Sequence, residues 1–219
     1  MLQARSSNAT SFPIFESEAG ASATARNPLL PATARGQATR QRLLQAAEQE
    51  FSEKGFHAAS VSSVTTRAGV GQGTFYLYFR TKEEVFVTLV RDIGTALRAC
   101  MRAAVVSEPS AALSASVAAF IAFVDEHPGQ YRIVQESQFV DAPAHREFFG
   151  ELVAHYADLM PSGNDTDAGP DGVAGPAWLA LGIGHAMALQ DGLDEASTGV
   201  DDRSRIARAA VTRLCTSRR

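Results

Sequence analysis

The side chains with the clearest chemistry lie in one short segment, between residues 72 and 82. Gln72 has the amide geometry that pairs with adenine in a major groove, and Thr74 suits a thymine methyl group or a phosphate. Lys82 stands at an expected helix start, where its ammonium and the free backbone N–H groups suit a phosphate. These residue types at this spacing predict a surface that contacts double-stranded DNA.

Short helices joined by a tight turn have to position that surface. An apolar face repeats every four residues through Leu43, Ala47 and Phe51, which predicts a first helix from about residue 39. Gly55 stops this helix, and Ser60 is suited to cap the next one. The expected helices cover residues 39–54, 61–68, 72–79, 82–106, 110–126, 128–138, 142–159, 176–191 and 201–216.

The rest of the chain repeats this helical pattern, with no alternating strand pattern and no internal repeat. Residues 1–35 are rich in Ala, Ser and Thr and have no helical period, which predicts a disordered extension. Residues 161–176 form a Gly, Pro and Asp-rich stretch, which predicts a mobile loop. We therefore expect an all-α protein with a three-helix N-terminal domain at 36–84 and a helical C-terminal domain at 85–219.

Residues 40–86 resemble the N-terminal helix-turn-helix domain of the tetracycline-repressor (TetR) family of bacterial transcription regulators. The matching residues are Phe51, Gly55-Phe56, Ser60-Val61, Val64, Ala68-Gly69-Val70, Gly73-Thr74-Phe75-Tyr76, Tyr78-Phe79 and Lys82-Glu83-Glu84. The chain departs from the family pattern at Thr65, where a small Ala is usual, and at Gly71, where a capping residue is common. It also has Gln72 where a basic residue is frequent.

The resemblance implies a ligand-responsive, DNA-binding transcription regulator. The expected form is a repressor that binds a palindromic operator as a homodimer and is released by a small hydrophobic or amphipathic effector. Tyr76 and Tyr78 are expected to place hydroxyls near phosphates, and Gly73 to let the backbone approach the duplex. The predicted DNA-contacting residues are Arg40, Ser60, Ser62, Gln72, Gly73, Thr74, Tyr76, Tyr78 and Lys82.

The resemblance also implies an effector pocket among the C-terminal helices, where aromatic residues are concentrated. Arg132 among these aromatics would suit an acyl or aromatic acid, whereas Glu136 would suit a lipophilic cation, and the sequence does not decide between them. The predicted ligand-binding residues are Phe120, Phe123, His127, Tyr131, Arg132, Glu136, Phe139, Phe149, Tyr156, Trp178 and His185.

The last two helices are expected to pair two subunits as a four-helix bundle. Small residues, Gly182 and Ala186, lie between larger ones on the first of these helices and favour close approach. The predicted interface residues are Trp178, Leu181, His185, Leu189, Ile206, Ala210 and Leu214.

Composition limits the other classes of function. The net charge of −4 divides into nine Lys/Arg against seven Asp/Glu in residues 1–90, and eleven against seventeen in residues 91–219. A mildly basic head on an acidic body fits DNA contact by a small module better than DNA packaging. A helix-turn-helix protein of another family remains the alternative.

An enzyme is not expected, because no phosphate loop, dinucleotide fingerprint or nucleophile elbow is present. Cys100 and Cys215 have no partner spacing, so neither a disulfide framework nor a metal site is predicted, and no cofactor is expected. The longest apolar run, residues 177–189, is too short for a membrane helix, and residues 1–35 lack a signal-peptide core. We therefore expect a cytoplasmic protein that does not bind membranes.

Overall fold

The computed structural model describes residues 33–160, 175–189 and 199–216, and these ranges contain α-helices, one short 3-10 helix and no strand. The α-helices are α1 (Ala34–Lys54), α2 (Val61–Ala68), α3 (Gln72–Tyr76), α4 (Lys82–Ser107), α5 (Ala112–Glu126), α6 (Pro128–Val140), α7 (Ala142–Asp158), α8 (Gly175–Ala188) and α9 (Val200–Thr216). The 3-10 helix covers Pro109–Ala111 and precedes α5. The expectation of an all-α protein is confirmed.

The N-terminal head consists of α1, α2 and α3 packed on the first turns of α4. Thr33 caps α1 by accepting the N–H of Gly36 at 3.1 Å, so α1 starts earlier than expected and Arg35 belongs to it. This shortens the predicted disordered extension, whose first 32 residues lie outside the described ranges. Gly55 ends α1 with φ of +80°, a conformation that residues with a Cβ rarely adopt.

The second helix has the caps that the sequence predicts. The Ser60 hydroxyl accepts the Ser63 N–H at 3.0 Å, and the Ser63 hydroxyl accepts the Ser60 N–H at 3.1 Å, which together form a capping box. Gly69 is left-handed with φ of +67° and closes the helix. The third helix ends at Tyr76 rather than near 79, because Leu77 and the following residues turn toward α4.

Helix α4 connects the head to the body. Its first half buries Val85, Phe86 and Leu89 in the head core, where the ring centroid of Phe86 is 4.9 Å from that of Phe56. Its second half packs on α5, α6 and α7. The buried residues of the head and the body therefore form one continuous core.

Helix α5 forms the centre of the body, between α4, α8 and α9. Together with the 3-10 helix it forms the segment Pro109–Glu126, which is apolar enough and long enough to cross a membrane by length and composition. More than half of that segment is buried inside the protein, as is typical of a core helix. Arg203 of α9, only 2% exposed, pairs with Asp125 at the end of α5 and so fixes α9 to the core.

Candidate DNA-contact surface and ligand pocket

Salt bridges hold α2 against α1 and so set the position of α3. Glu50 is buried and accepts hydrogen bonds from Lys54 and Arg67, each at 2.7 Å. Arg67 also pairs with Glu53 at 2.6 Å. These donors, Lys54 first and then Ser63 and Arg67, outweigh burial and lower the pKa of Glu50 to about 2.

Helix α3 presents the polar residues that the sequence singled out. Gln72, Gly73 and Tyr76 are exposed, with 54% of the Tyr76 surface accessible, and Thr74 is half-buried. Phe75 is buried and anchors the helix to the head core. This arrangement separates an outer face that can contact a duplex from an inner face that packs, as the sequence predicts.

Two glycines leave space on the outer face. A Cβ atom placed at Gly71 or Gly73 would meet no other atom within 4 Å. Packing within the protein therefore does not require glycine at position 73, which agrees with the expectation that the residue serves close approach to a partner. Gly71 precedes α3 without a side-chain cap, as expected from the departure at this position.

The remaining predicted DNA contacts lie around α3. Ser62 and Ser60 are exposed on α2 and at its cap, and Tyr78 is half-buried against the core. The guanidinium of Arg40 lies 5.0 Å from the centre of the Phe79 ring, which holds the side chain against the head. Leu77, which is not among the predicted DNA contacts, exposes 66% of its surface beside Tyr76.

Lys82 has a different environment from the one expected. Its ammonium donates to the carbonyl oxygens of Phe56 at 2.7 Å and Ala59 at 2.8 Å, and it lies 4.1 Å from the centre of the Phe56 ring. These bonds use two of the three N–H groups. Lys82 therefore holds the loop between α1 and α2, and its predicted phosphate contact stays a prediction.

A cavity of about 340 Å³ opens between α6, α7 and α8 in the body. Its walls combine aromatic and aliphatic side chains with amide and imidazole groups, the usual composition of a small-molecule site. The lining residues are Gln135, Gln138, His145, Phe149, Trp178, Leu181, Gly182 and His185.

Hydroxyl groups of α6 hold both imidazoles of the pocket. The Nδ1 atom of His145 lies 3.0 Å from the Ser137 hydroxyl, and Nδ1 of His185 is hydrogen-bonded to the Tyr131 hydroxyl. Burial and the neighbouring His145 lower the pKa of His185, so its imidazole is neutral near pH 7. Burial also raises the pKa of Tyr131, which keeps that phenol protonated.

Part of the predicted ligand set lies outside this pocket. Glu136 accepts the backbone N–H of Phe56 at 2.7 Å, and Arg132 donates to the carbonyl oxygen of Ser52 at 3.0 Å. Both side chains therefore lie on the face of α6 that contacts the head, away from the pocket. Phe139 is 78% exposed beside them, and the three side chains line a second cavity, of about 560 Å³, between α6 and the α1–α2 loop.

Other predicted ligand residues belong to the core or to the surface. Phe120, Phe123 and Tyr156 are buried, and the Phe120 ring packs edge-on against Tyr131 at 5.7 Å between centroids. His127 is exposed at the junction of α5 and α6. Of the predicted set, Phe149, Trp178 and His185 line the pocket, and Tyr131 supports it from behind.

Sequence reasoning missed several pocket residues, namely Gln135, Gln138, His145 and Gly182. A signal was present, because 131, 135 and 138 follow the three-to-four residue spacing of one helix face. Among the described residues no group of three His, Cys, Asp or Glu side chains is placed to hold a metal ion. His155, for example, is hydrogen-bonded through Nε2 to the Ser116 hydroxyl at 2.8 Å.

The N-terminal segment is similar to known proteins. Residues 43–89 match the model of bacterial regulatory proteins, tetR family. The HTH-type transcriptional regulator YdgC of Bacillus subtilis (strain 168), itself uncharacterized, is 47% identical over 64 residues, which cover 29% of this chain and 33% of that protein. The matched N-terminal segment belongs to the tetR family.

Solved structures of tetR-like regulators extend the likeness to the whole fold. A TetR-like regulator from Rhodococcus sp. RHA1 covers 86% of this chain and 100% of its own, with a TM-score of 0.66 and 21% identity. The fatty acid degradation regulator FadR of Bacillus halodurans covers 79% and 94%, with a TM-score of 0.62 and 17% identity. At these identities the neighbours show the fold, and the family is one of regulators rather than enzymes.

The last two helices of the protein have an outward apolar face. Trp178 and Leu179 of α8 are 49% and 54% exposed, and Ile206 of α9 is 44% exposed. Gly182 and Ala186 are exposed between them. We call this surface the α8–α9 face.

Several predicted interface residues do not belong to that face. Leu181 is buried in its own subunit and lines the pocket, so a charged residue there would disrupt the subunit. His185, Leu189 and Ala210 are half-buried, and the side chain of Leu214 lies outside the described residues.

Proposed function

We propose that the protein is a DNA-binding transcription regulator, most simply a repressor, that binds a palindromic operator as a homodimer. The exposed side chains of α3 supply the base and phosphate contacts. The α8–α9 face joins two subunits, so that two heads reach successive turns of the duplex. The observation that carries the proposal is the separation on α3 of an exposed polar face from the buried Phe75.

Effector control follows from the two faces of α6. One face contacts the head through Arg132 and Glu136, and through Gln130, whose amide donates to Glu48 at 2.8 Å. The other face supplies Gln135 and Gln138 to the pocket. A ligand that fits the pocket better when α6 is displaced will therefore favour a head position that mismatches the operator.

The α1–α2 loop is bonded both by the start of α4 and by α6 of the body. Lys82 of α4 bonds to the carbonyl oxygen of Phe56, and Glu136 of α6 bonds to its N–H. Gly129 of α6 lies so close that a Cβ there would come within 2.8 Å of Ser52. We name this set of contacts the Phe56 latch.

The test is operator selection with the purified full chain. Duplexes with a randomised central region are enriched on the protein, sequenced and footprinted. We expect an inverted repeat with half-sites about one helical turn or more apart. Enrichment of no common sequence contradicts the proposal.

Variants on the exposed face of α3 test operator binding separately from folding. Gly73→Ala adds a methyl group in open space, so it should keep the melting temperature and weaken operator binding. Tyr76→Ala should weaken binding by about tenfold, and Tyr76→Phe, which lacks the hydroxyl alone, shows how much the phosphate contact contributes. Thr95→Ala, at an exposed position of the body, is the control. Wild-type footprints for both Gly73→Ala and Tyr76→Ala would show that α3 does not read the operator.

A further inference from the structure

The hydrogen bonds behind the pocket determine which proton each imidazole carries. The Ser137 hydroxyl donates to the carbonyl oxygen of Val134. Because its one proton is used there, Ser137 must accept from Nδ1 of His145. Neutral His145 therefore has an unprotonated Nε2, which is a proton acceptor.

The second imidazole has the opposite polarity. Among the described residues, Nδ1 of His185 is the hydrogen-bond partner of the buried Tyr131 hydroxyl, so we assign the hydroxyl as donor and the His185 proton to Nε2. Within the described residues, neither Nε2 atom has a hydrogen-bond partner. The pocket thus offers one acceptor and one donor that the fold leaves for a ligand.

The charges around the pocket limit the ligand further. From α6 the imidazoles face the hydroxyls of Tyr131 and Ser137 and the amides of Gln135 and Gln138. From α7 they face Phe149, whose ring centroid lies 4.7 Å from that of His145 and 6.0 Å from that of His185, and α8 adds Trp178 and Leu181. No carboxylate, Lys or Arg of the described residues lines the pocket, so a cationic ligand would have no counter-ion.

We propose that the ligand of this pocket is a small aromatic carboxylic acid, which binds with uptake of one proton by His145. The carboxylate receives one hydrogen bond from Nε2–H of His185 and one from Nε2 of His145, which becomes protonated. That proton comes from the solvent, because the acid itself is ionised at neutral pH. Phe149 and Trp178 flank the ring of the ligand, and a volume of about 340 Å³ suits one or two fused rings.

This inference rests on the proposed function and names the ligand class of its effector pocket. It also decides between the alternatives that the sequence left open. Arg132 and Glu136, the residues on which that choice depended, both contact the head and have no part in the pocket.

The test is calorimetric titration of the full chain with benzoate and naphthoate and with their methyl esters. Uptake of one proton predicts that the dissociation constant of the acid rises with pH, by up to about tenfold per pH unit. Titrations in buffers of different ionisation enthalpy should report about one proton bound per site. The esters, which carry no charge, should bind at least about tenfold more weakly and without the pH slope.

Variants assign the proton to one imidazole. His145→Gln should abolish both the proton uptake and the pH slope, while His57→Gln, at an exposed position of the head, should change neither. Binding of the ester as tight as that of the acid, or binding of no acid below about 1 mM, would overturn the ligand class. Operator selection on the same preparation distinguishes this failure from failure of the proposed function, because it needs no ligand.

Discussion

The Phe56 latch gives the sharpest prediction, since the Glu136 carboxylate bonds α6 directly to the backbone of the α1–α2 loop. Glu136 is 26% exposed at its side chain, and its carboxylate accepts the Phe56 N–H at 2.7 Å. A hydrogen bond to a charged group contributes about 1.5–3 kcal/mol. Replacing Glu136 with Ala removes the acceptor and should lower the local free energy of opening by about that amount.

Amide hydrogen exchange of Phe56 measures this opening directly. A loss of about 1.5–3 kcal/mol corresponds to exchange that is faster by roughly 10- to 150-fold. Glu136→Gln keeps an uncharged acceptor and should give a smaller increase, because a neutral hydrogen bond contributes about 0.5–1.5 kcal/mol. The three proteins should therefore rank as wild type, Gln and Ala in order of increasing exchange rate.

Two controls show whether the effect is local. Glu147→Ala removes a carboxylate from an exposed pair with Arg91, at 2.9 Å, and should leave Phe56 exchange unchanged. Amides of the buried helix α5 should keep their protection in every variant. Equal Phe56 exchange in wild type and Glu136→Ala would refute the latch.

Three further predictions concern stability and assembly. Glu50, whose folded pKa lies near 2 against an ordinary value of 4.5, stabilises the head above about pH 4.5 and loses that contribution as the pH falls toward 2. Acid unfolding followed by circular dichroism should show this loss of stability. The Glu50→Gln variant should be less stable at neutral pH, and its stability should depend less on acid. Asp125→Ala leaves the guanidinium of Arg203 buried without that carboxylate and should cost about 2–3 kcal/mol in urea unfolding, with no change if the pair is unimportant. Trp178→Ala removes roughly 100 Å² of apolar contact per subunit, which corresponds to about 2.5 kcal/mol. Sedimentation should therefore show dimerisation weakened at least about tenfold. Phe139→Ala, which changes an exposed residue outside the α8–α9 face, should leave dimerisation unchanged.

The sequence predicted the head well because its local signals are strong. The second helix has the predicted bounds, since Ser60 and Gly69 supply caps that act within a few residues. The start of α1 was missed because its first turn, Ala34 to Ala38, is exposed and has no apolar period. Helix α3 was predicted too long, since nothing in the sequence shows where its last turn loosens.

The pocket was harder to predict because neighbouring positions on one helix point in opposite directions. Gln135 lines the cavity while Glu136, the next residue, bonds to the head. A step of one residue turns an α-helix by about 100°, so composition finds the right helix without finding the right face. The partner of a polar residue can also lie far away in the sequence, as Ala59 does for Lys82, and only the folded structure shows such a partner.

The size of the latch also explains why the proposed function needs two subunits. Moving a two-state equilibrium almost completely requires about 5.5 kcal/mol of differential binding. A single bond between Glu136 and Phe56 supplies about 1.5–3 kcal/mol, and the exposed contacts of Gln130 and Arg132 add little. Two latches in a dimer double the difference, which reaches the required range. We therefore expect a heterodimer with one Glu136→Ala subunit to respond to effector between the two homodimers, and full response from that heterodimer would contradict the additive role of the latch.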